Sequence, residues 1–359
     1  MAKGTVYPSE RGIWRDPRSG LRIIRLTHSA CISTNLYFEF CSFSPDDRYV
    51  VILSQRYAGR DAPWDVMRAR TDGTELVQMT DTDTLGGAVV VSTRQGCIFY
   101  RADHELRRMD IASLEETVVA ETPGKLDPEL VTRGSVDRAG TVYFGNMIDD
   151  DGMSVMFLLD LTTGESVPLH EAGRHGHIDC DPSGKTVAFC AWRQGETPGH
   201  YLIDADGQNL RPYPFNQFAH NTWFGESGTL QGTLLPPGRA IVTHTEGDEE
   251  PTVLTSGRYY WHSGASLDAQ WIVADTNWPA QGLYLLHVPT RNVAYVCDPK
   301  ASCSHPQWTH PHPALSANMK YVVYNSDMTG IGQVYLTEFT EEYLADIVAG
   351  PPCKTPLWK

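Results

Sequence analysis

A chain of 359 residues exceeds the size of most single-core domains, so either two domains or one large closed architecture is expected. Hydrophobic residues at 41% beside 20% charged residues give a globular chain that can bury a core, which excludes a disordered polymer. The net charge of -15, from 29 basic and 44 acidic residues, excludes nucleic acid and anionic membrane as partners, since both need a positive surface.

The chain opens on "MAKGTVYPSERGIW", which has no apolar segment of the signal-peptide kind. No later run approaches the roughly 18 apolar residues of a membrane span, and a cytoplasmic location is expected. "LRIIRLTH", residues 21–28, reads like the last strand of a unit without the strands that should precede it. From residue 42 one pattern then recurs: a strand, a turn of Asp/Ser-Gly type, and further strands. Strong copies are "SFSPDDRYVVILSQR" with "DVMRARTDGTELVQMT", "GSVDRAGTVYFGN" with "MFLLDLTTGESVPL", "HIDCDPSGKTVAFCAW" with "HYLIDADGQNLRPY", and "ASLDAQWIVADTN" with "GLYLLHVPTRNVAYV". Weaker copies occupy residues 87–123, 222–257 and 314–340.

Seven copies at a period of about 43 residues, each offering four short strands, predict an all-β fold, a seven-bladed β-propeller. The seventh copy lacks a last strand. Pairing it with the N-terminal strand would close the ring and remove two sheet edges. The expected organisation is a single domain over residues 1–345 and an irregular tail over 346–359; helical periodicity shows only in "TEEYLADIVA". The eight cysteines have no C-x-x-C spacing, and several lie in strand-like runs, as buried reduced thiols do.

Set in the repeat register, the histidines form a pattern. The position six to eight residues ahead of the turn should lie near one mouth of the central channel. It holds His177 in the fourth copy, His220 in the fifth, His262 in the sixth, and His310 with His312 in the seventh. Arg133 takes it in the third copy, and Glu39 lies near it in the first. His28, His104, His170, His175, His244 and His287 fall outside the slot and read as structural, and His305 as a surface or supporting residue.

The stretch "HPQWTHPHP", residues 305–313, suits neither a helix nor a central strand. In an extended backbone His310 and His312 share one face, so both can point at one ion while prolines stiffen the chain. Gln307 can add a carbonyl oxygen and His262 a third imidazole. Three neutral nitrogens and one oxygen suit Mn²⁺, Fe²⁺, Co²⁺, Ni²⁺ or Zn²⁺, with positions left open for substrate or water. Tyr37, Trp223, Trp261 and Trp308 are candidate aromatic walls of the same mouth.

"YPSERGIWRDPRSGLRIIRLTH", "NLYFEFCSFSPDDRYVVILSQR", "GHIDCDP", "HNTWF" and above all "QWTHPHPALSANMKYVVYNSD" resemble the oligogalacturonate lyases, and the resemblance covers nearly the whole chain. It implies a metal-dependent seven-bladed propeller, typically with Mn²⁺, that cleaves uronate-containing oligosaccharides by β-elimination. It further implies His262, Gln307, His310 and His312 as metal ligands and His220 as the Brønsted base. Arg133 is expected to hold a substrate carboxylate, and His177, Arg193, His200 and Trp223 to line the substrate site. There are departures. The family's arginine before the glutamine is Pro306 here, a histidine often found before "LYF" is Asn35, and a second substrate arginine is replaced by His200 with Arg193 nearby. These leave two other readings: a lyase or isomerase on another uronate saccharide, and a non-catalytic sugar- or protein-binding propeller.

Overall fold

The structure is a computed structural model and describes residues 2–55, 57, 62–122, 124–127, 133–193, 195–213, 218–225, 228–277 and 281–350. Seven antiparallel sheets, the blades of a seven-bladed β-propeller, take up nearly all of the regular structure. The chain divides into two compact units, residues 1–81 with 217–359, and residues 82–216.

The first unit holds four sheets. One joins Ser33–Asn35, Tyr49–Ser54, Asp65–Arg70 and Leu76–Gln78, with Val6–Tyr7 added outside. Two are consecutive four-stranded meanders, starting at Phe218–Phe224 and at Tyr260–Ala265. The fourth is built from both ends of the chain: Ala314–Leu315, Tyr321–Ser326 and Gln333–Glu338 are continued by Arg22–Arg25 and Gly12–Arg15. Ile24 lies opposite Leu336, and Ile23 opposite Thr337. This is the pairing expected of the N-terminal strand with the last repeat. The second unit holds three meanders, whose inner strands are Leu85–Ser92, Gly134–Val136 and Arg174–Cys180.

The repeated turn works through one recurring bond. A serine or aspartate at the end of the inner strand accepts the backbone N–H five residues on, at the start of the second strand. The pairs are Ser44 with Tyr49 (3.0 Å), Asp137 with Val142 (2.9 Å), Asp181 with Thr186 (3.3 Å), Ser266 with Trp271 (3.0 Å) and Ser316 with Tyr321 (3.0 Å). Short oxygen-bearing side chains suit this because they satisfy a turn N–H that the ladder cannot reach. Gly184 within one such turn has φ +72°, and a β-carbon there would lie 2.9 Å from Val142. Only glycine fits.

Second strands such as "YVVILS" and "WIVADT" bury every residue, because a sheet between two others packs on both faces. The interlayers are apolar: Ile24, Phe43, Ile52, Met67, Val323 and Leu336 form one in the first unit, and Phe144, Met156, Ile178, Val187 and Phe189 another in the second. The C-terminus differs from expectation. A helix spans Glu341–Ala349, capped by the Thr340 hydroxyl, so residues 346–349 are not irregular. Buried Ile347 joins the core, and Asn292 donates to the carbonyls of Ile347 (2.8 Å) and Gly350 (2.6 Å), which anchors this last turn. Residues 351–359 of the expected tail lie outside the described residues.

Candidate metal and catalytic centre

In the first unit His262, His310 and His312 converge: one ligand atom from each lies within 4.8 Å of the others. His262 comes from Tyr260–Ala265 and is 1% exposed; His310 and His312 come from the extended segment before Ala314–Leu315. Two of the rings are oriented by their far nitrogens. His262 Nδ1–H donates to Asp275 Oδ2 at 2.9 Å, so Nε2 is the nitrogen it can offer a ligand. His310 Nε2–H donates to the Ser304 carbonyl at 2.8 Å, which leaves Nδ1 as the lone-pair nitrogen; that atom is buried and has no hydrogen-bond partner. Histidine ligands of metals are commonly held this way, the outer N–H fixed by a carboxylate or carbonyl. A buried imidazole lone pair beside two other imidazoles fits a divalent ion.

Asp275 adds charge. It accepts from the His262 backbone N–H at 2.7 Å and from that of His312, and burial pushes its carboxyl up to about 7 against those bonds and the neighbouring His220 and His310. When ionised, a carboxylate so enclosed needs positive charge close by, and a cation among the three imidazoles would supply it. Gln307 stands on the short 3₁₀ turn Gln307–Thr309, three residues before His310, with its side chain exposed and its carbonyl accepting the His310 N–H at 2.9 Å.

His220 packs against this centre. Its ring centroid is 4.4 Å from that of His262, 5.3 Å from Trp261 and 6.0 Å from Phe38. Tyr37 closes the other side, 4.3 Å from His312. The inner strands reach this arrangement through β-bulges. Register shifts between Ala219 and Thr222 set His220 and Asn221 against one partner residue, and a shift between Tyr260 and Ser263 does the same for Trp261 and His262. A third bulge, between Gly176 and Asp179, carries His177. Bulges re-aim side chains, and His177 (φ 51°), His220 (φ 50°) and His312 (φ 45°) all adopt the left-handed conformation that L-residues avoid. Trp223 lies three residues beyond His220 on the same strand, opposite Leu230.

The second unit holds Arg133, His177, Arg193 and His200. Arg133 is 5% exposed, 3.9 Å from Asp127, with its guanidinium 5.8 Å over the ring of Trp192. A chain of buried polar contacts continues from Asp127: Asn146 Nδ2 donates to Asp127 (2.7 Å) and to Ser154 Oγ (2.9 Å), His175 Nδ1 lies 2.8 Å from that hydroxyl, and His170 Nδ1 lies 2.9 Å from His175 Nε2. Burial, with His170 and Arg133 adding to it, pushes His175 down to about 3. His200 Nδ1 is 3.3 Å from the Cys190 thiol, and burial, then His177, lowers its pKa. Arg193 is exposed and, with Arg174, Trp192, Met153 and Glu196, lines a groove of about 870 Å³.

No family model matches the chain. It is 24% identical to the oligogalacturonate lyase of Dickeya dadantii (strain 3937) and 22% identical to the oligogalacturonide lyase of Pectobacterium atrosepticum; each likeness covers 94% of this chain and 98% of the relative. Its fold superimposes with a TM-score of 0.78 on a solved oligogalacturonate lyase in complex with manganese, covering 96% of this chain and all of that one at 23% identity. These likenesses fit the oligogalacturonate lyase family.

Against the oligogalacturonate lyase pattern, the departures now have surroundings. Pro306 follows a cis peptide bond from His305 and caps the turn that carries Gln307. Asn35 is buried, and its side chain donates to the His312 carbonyl. Asp275 was missed in the sequence, although a carboxylate in the otherwise apolar "WIVADT" is a signal that something must compensate it. Among the described residues no helix is long and apolar enough to cross a membrane.

Proposed function

We propose that the chain is a divalent-metal-dependent lyase that cleaves uronate-containing oligosaccharides of the oligogalacturonate type by β-elimination. The observation that carries this reading is the imidazole of His220 packed against the His262–His310–His312 cluster. His262, His310 and His312, with the Gln307 carboxamide, would hold the ion, most suitably Mn²⁺. When bound, such an ion neutralises charge on the uronate carboxylate and so acidifies the neighbouring C5–H.

A ring nitrogen of His220 takes the C5 proton, for which a neutral imidazole is suited. The C5–H and C4–O4 bonds break, a C4=C5 double bond forms, and O4 leaves with a proton from water. Trp261 and Phe38 against the ring of His220 restrict its rotation and shield it from solvent. Arg133, from the second unit, is assigned the grip on a substrate carboxylate, a task that the fixed fork of a guanidinium suits. Pro306 and His200, where the family has arginines, favour a uronate other than polygalacturonate fragments as a second reading.

The test is ultraviolet absorbance of the conjugated unsaturated uronate during incubation with Mn²⁺ and a panel of uronate oligosaccharides that includes di- and trigalacturonate. A metal-dependent rise that disappears in His220→Ala supports the reading. A rise with a non-galacturonate substrate alone favours the second reading, and no rise in the presence of bound metal defeats both.

A further inference from the structure

The segment His310–Pro313 presents a problem of support. Two of its four residues are prolines without an N–H, so the ladder has little to hold, and His312 sits at φ 45°. Such a conformation is strained for an L-residue and persists only where the surroundings impose it. What the segment does offer is a row of carbonyls, and all three between the ligand residues are taken by two asparagines. Asn325 donates its backbone N–H to Pro311 O at 2.9 Å and shares its side-chain amide with His310 O at 3.3 Å. Asn35 Nδ2 donates to His312 O at 2.6 Å.

The two asparagines also lock each other. Asn325 Oδ1 accepts the Asn35 backbone N–H at 2.8 Å, and Asn325 Nδ2 donates to Asn35 Oδ1 at 2.9 Å and to Thr34 Oγ1 at 3.0 Å. The two protons of that amide serve three acceptors, of which His310 O is the farthest. Both side chains are buried, at 2% and 0% exposure, in strands, where asparagine is disfavoured and an unsatisfied amide is costly.

We infer that Asn35 and Asn325 are positioning residues of the metal centre, fixing the backbone from which the His310 and His312 imidazoles project. This rests on the metal reading above. The rival explanation is that they only join the first and last sheets. Gln333 separates the two, because it is equally buried and its Nε2 joins the same parts of the chain by donating to Ser29 O and Cys31 O, both at 3.0 Å, with no bond to the ligand segment.

The experiment is calorimetric titration of Mn²⁺ into metal-free wild type, Asn35→Ala, Asn325→Ala and Gln333→Ala, each first shown folded by circular dichroism. The visible spectrum of the Co²⁺ forms gives a second readout, of ligand geometry. Both asparagine variants are expected to bind Mn²⁺ roughly ten- to a hundred-fold more weakly, as loss of outer-shell support does, and to show altered Co²⁺ bands. Gln333→Ala is expected to lose stability yet keep wild-type affinity and spectrum. Unchanged affinity and spectrum in the asparagine variants overturns the inference, and so does an equal loss in Gln333→Ala. Should Asn325→Ala fail to fold, Asn35→Ala, which removes the bond to His312 O, decides alone. Absence of Mn²⁺ binding by the wild type defeats the metal reading instead.

Discussion

His220 and His262 occupy corresponding bulges one residue out of step, and the proposed division between base and ligand follows that step. His262 takes the second bulge position, where its far nitrogen meets Asp275; His220 takes the first, where it is packed by rings. His220→Ala should therefore abolish elimination while calorimetry still finds Mn²⁺ bound with near-parental affinity. Asp275→Asn keeps the shape but loses the acceptor for His262 Nδ1–H, and should weaken Mn²⁺ by roughly 10–100-fold in the same titration. His175 carries a pH signature of its own. Its folded pKa, about 3, lies below the unfolded value, so its stabilisation is full above pH 6.5 and is lost as pH falls from there toward 3. Urea unfolding of the parent should weaken over this window by at most about 1.4 kcal/mol per pH unit from this group, and His175→Gln should lack that part of the slope.

At the scale of the element, the strands were legible because four repeats spell the same turn and β-branched strands strongly and three more spell them weakly. The nearness of His310 to His312 was legible too, since the two are close in sequence and an extended chain puts them on one face. The bulges were not: they insert residues without any local marker, which is why His220 and His262 read as equivalents. Nor was the asparagine frame, whose members stand 290 residues apart. Its trace was a polar residue in the apolar "YVVYNS", a sign that a partner exists but not which. The bulge at His177 makes a prediction from backbone alone. Glycine tolerates φ 51° and a β-branched residue does not, so His177→Gly should unfold near the parent's urea midpoint and His177→Ile well below it, by about 1–2 kcal/mol.

For the whole molecule, the proposed metal centre sits where the two ends of the chain meet in one unit. The histidines proposed as ligands, from the sixth and seventh repeats, are backed by Asn35 from the first. An ion that binds only the folded form should raise the melting temperature, with about 2.7 kcal/mol at a hundred times its dissociation constant, and a chelator should reverse the rise in a thermal scan.

The sheet made from both termini also bears on how the protein is made. Gly12–Arg15 and Arg22–Arg25 are made about 300 residues ahead of their partner strand Gln333–Glu338. At synthesis of about 5–20 residues per second that is on the order of 15–60 s with a two-stranded ribbon unable to complete its sheet. An open edge invites pairing with a neighbouring nascent chain. Arg15, Arg22 and Arg25 place three positive charges on that waiting ribbon, so two copies repel each other until the last repeat arrives to claim it.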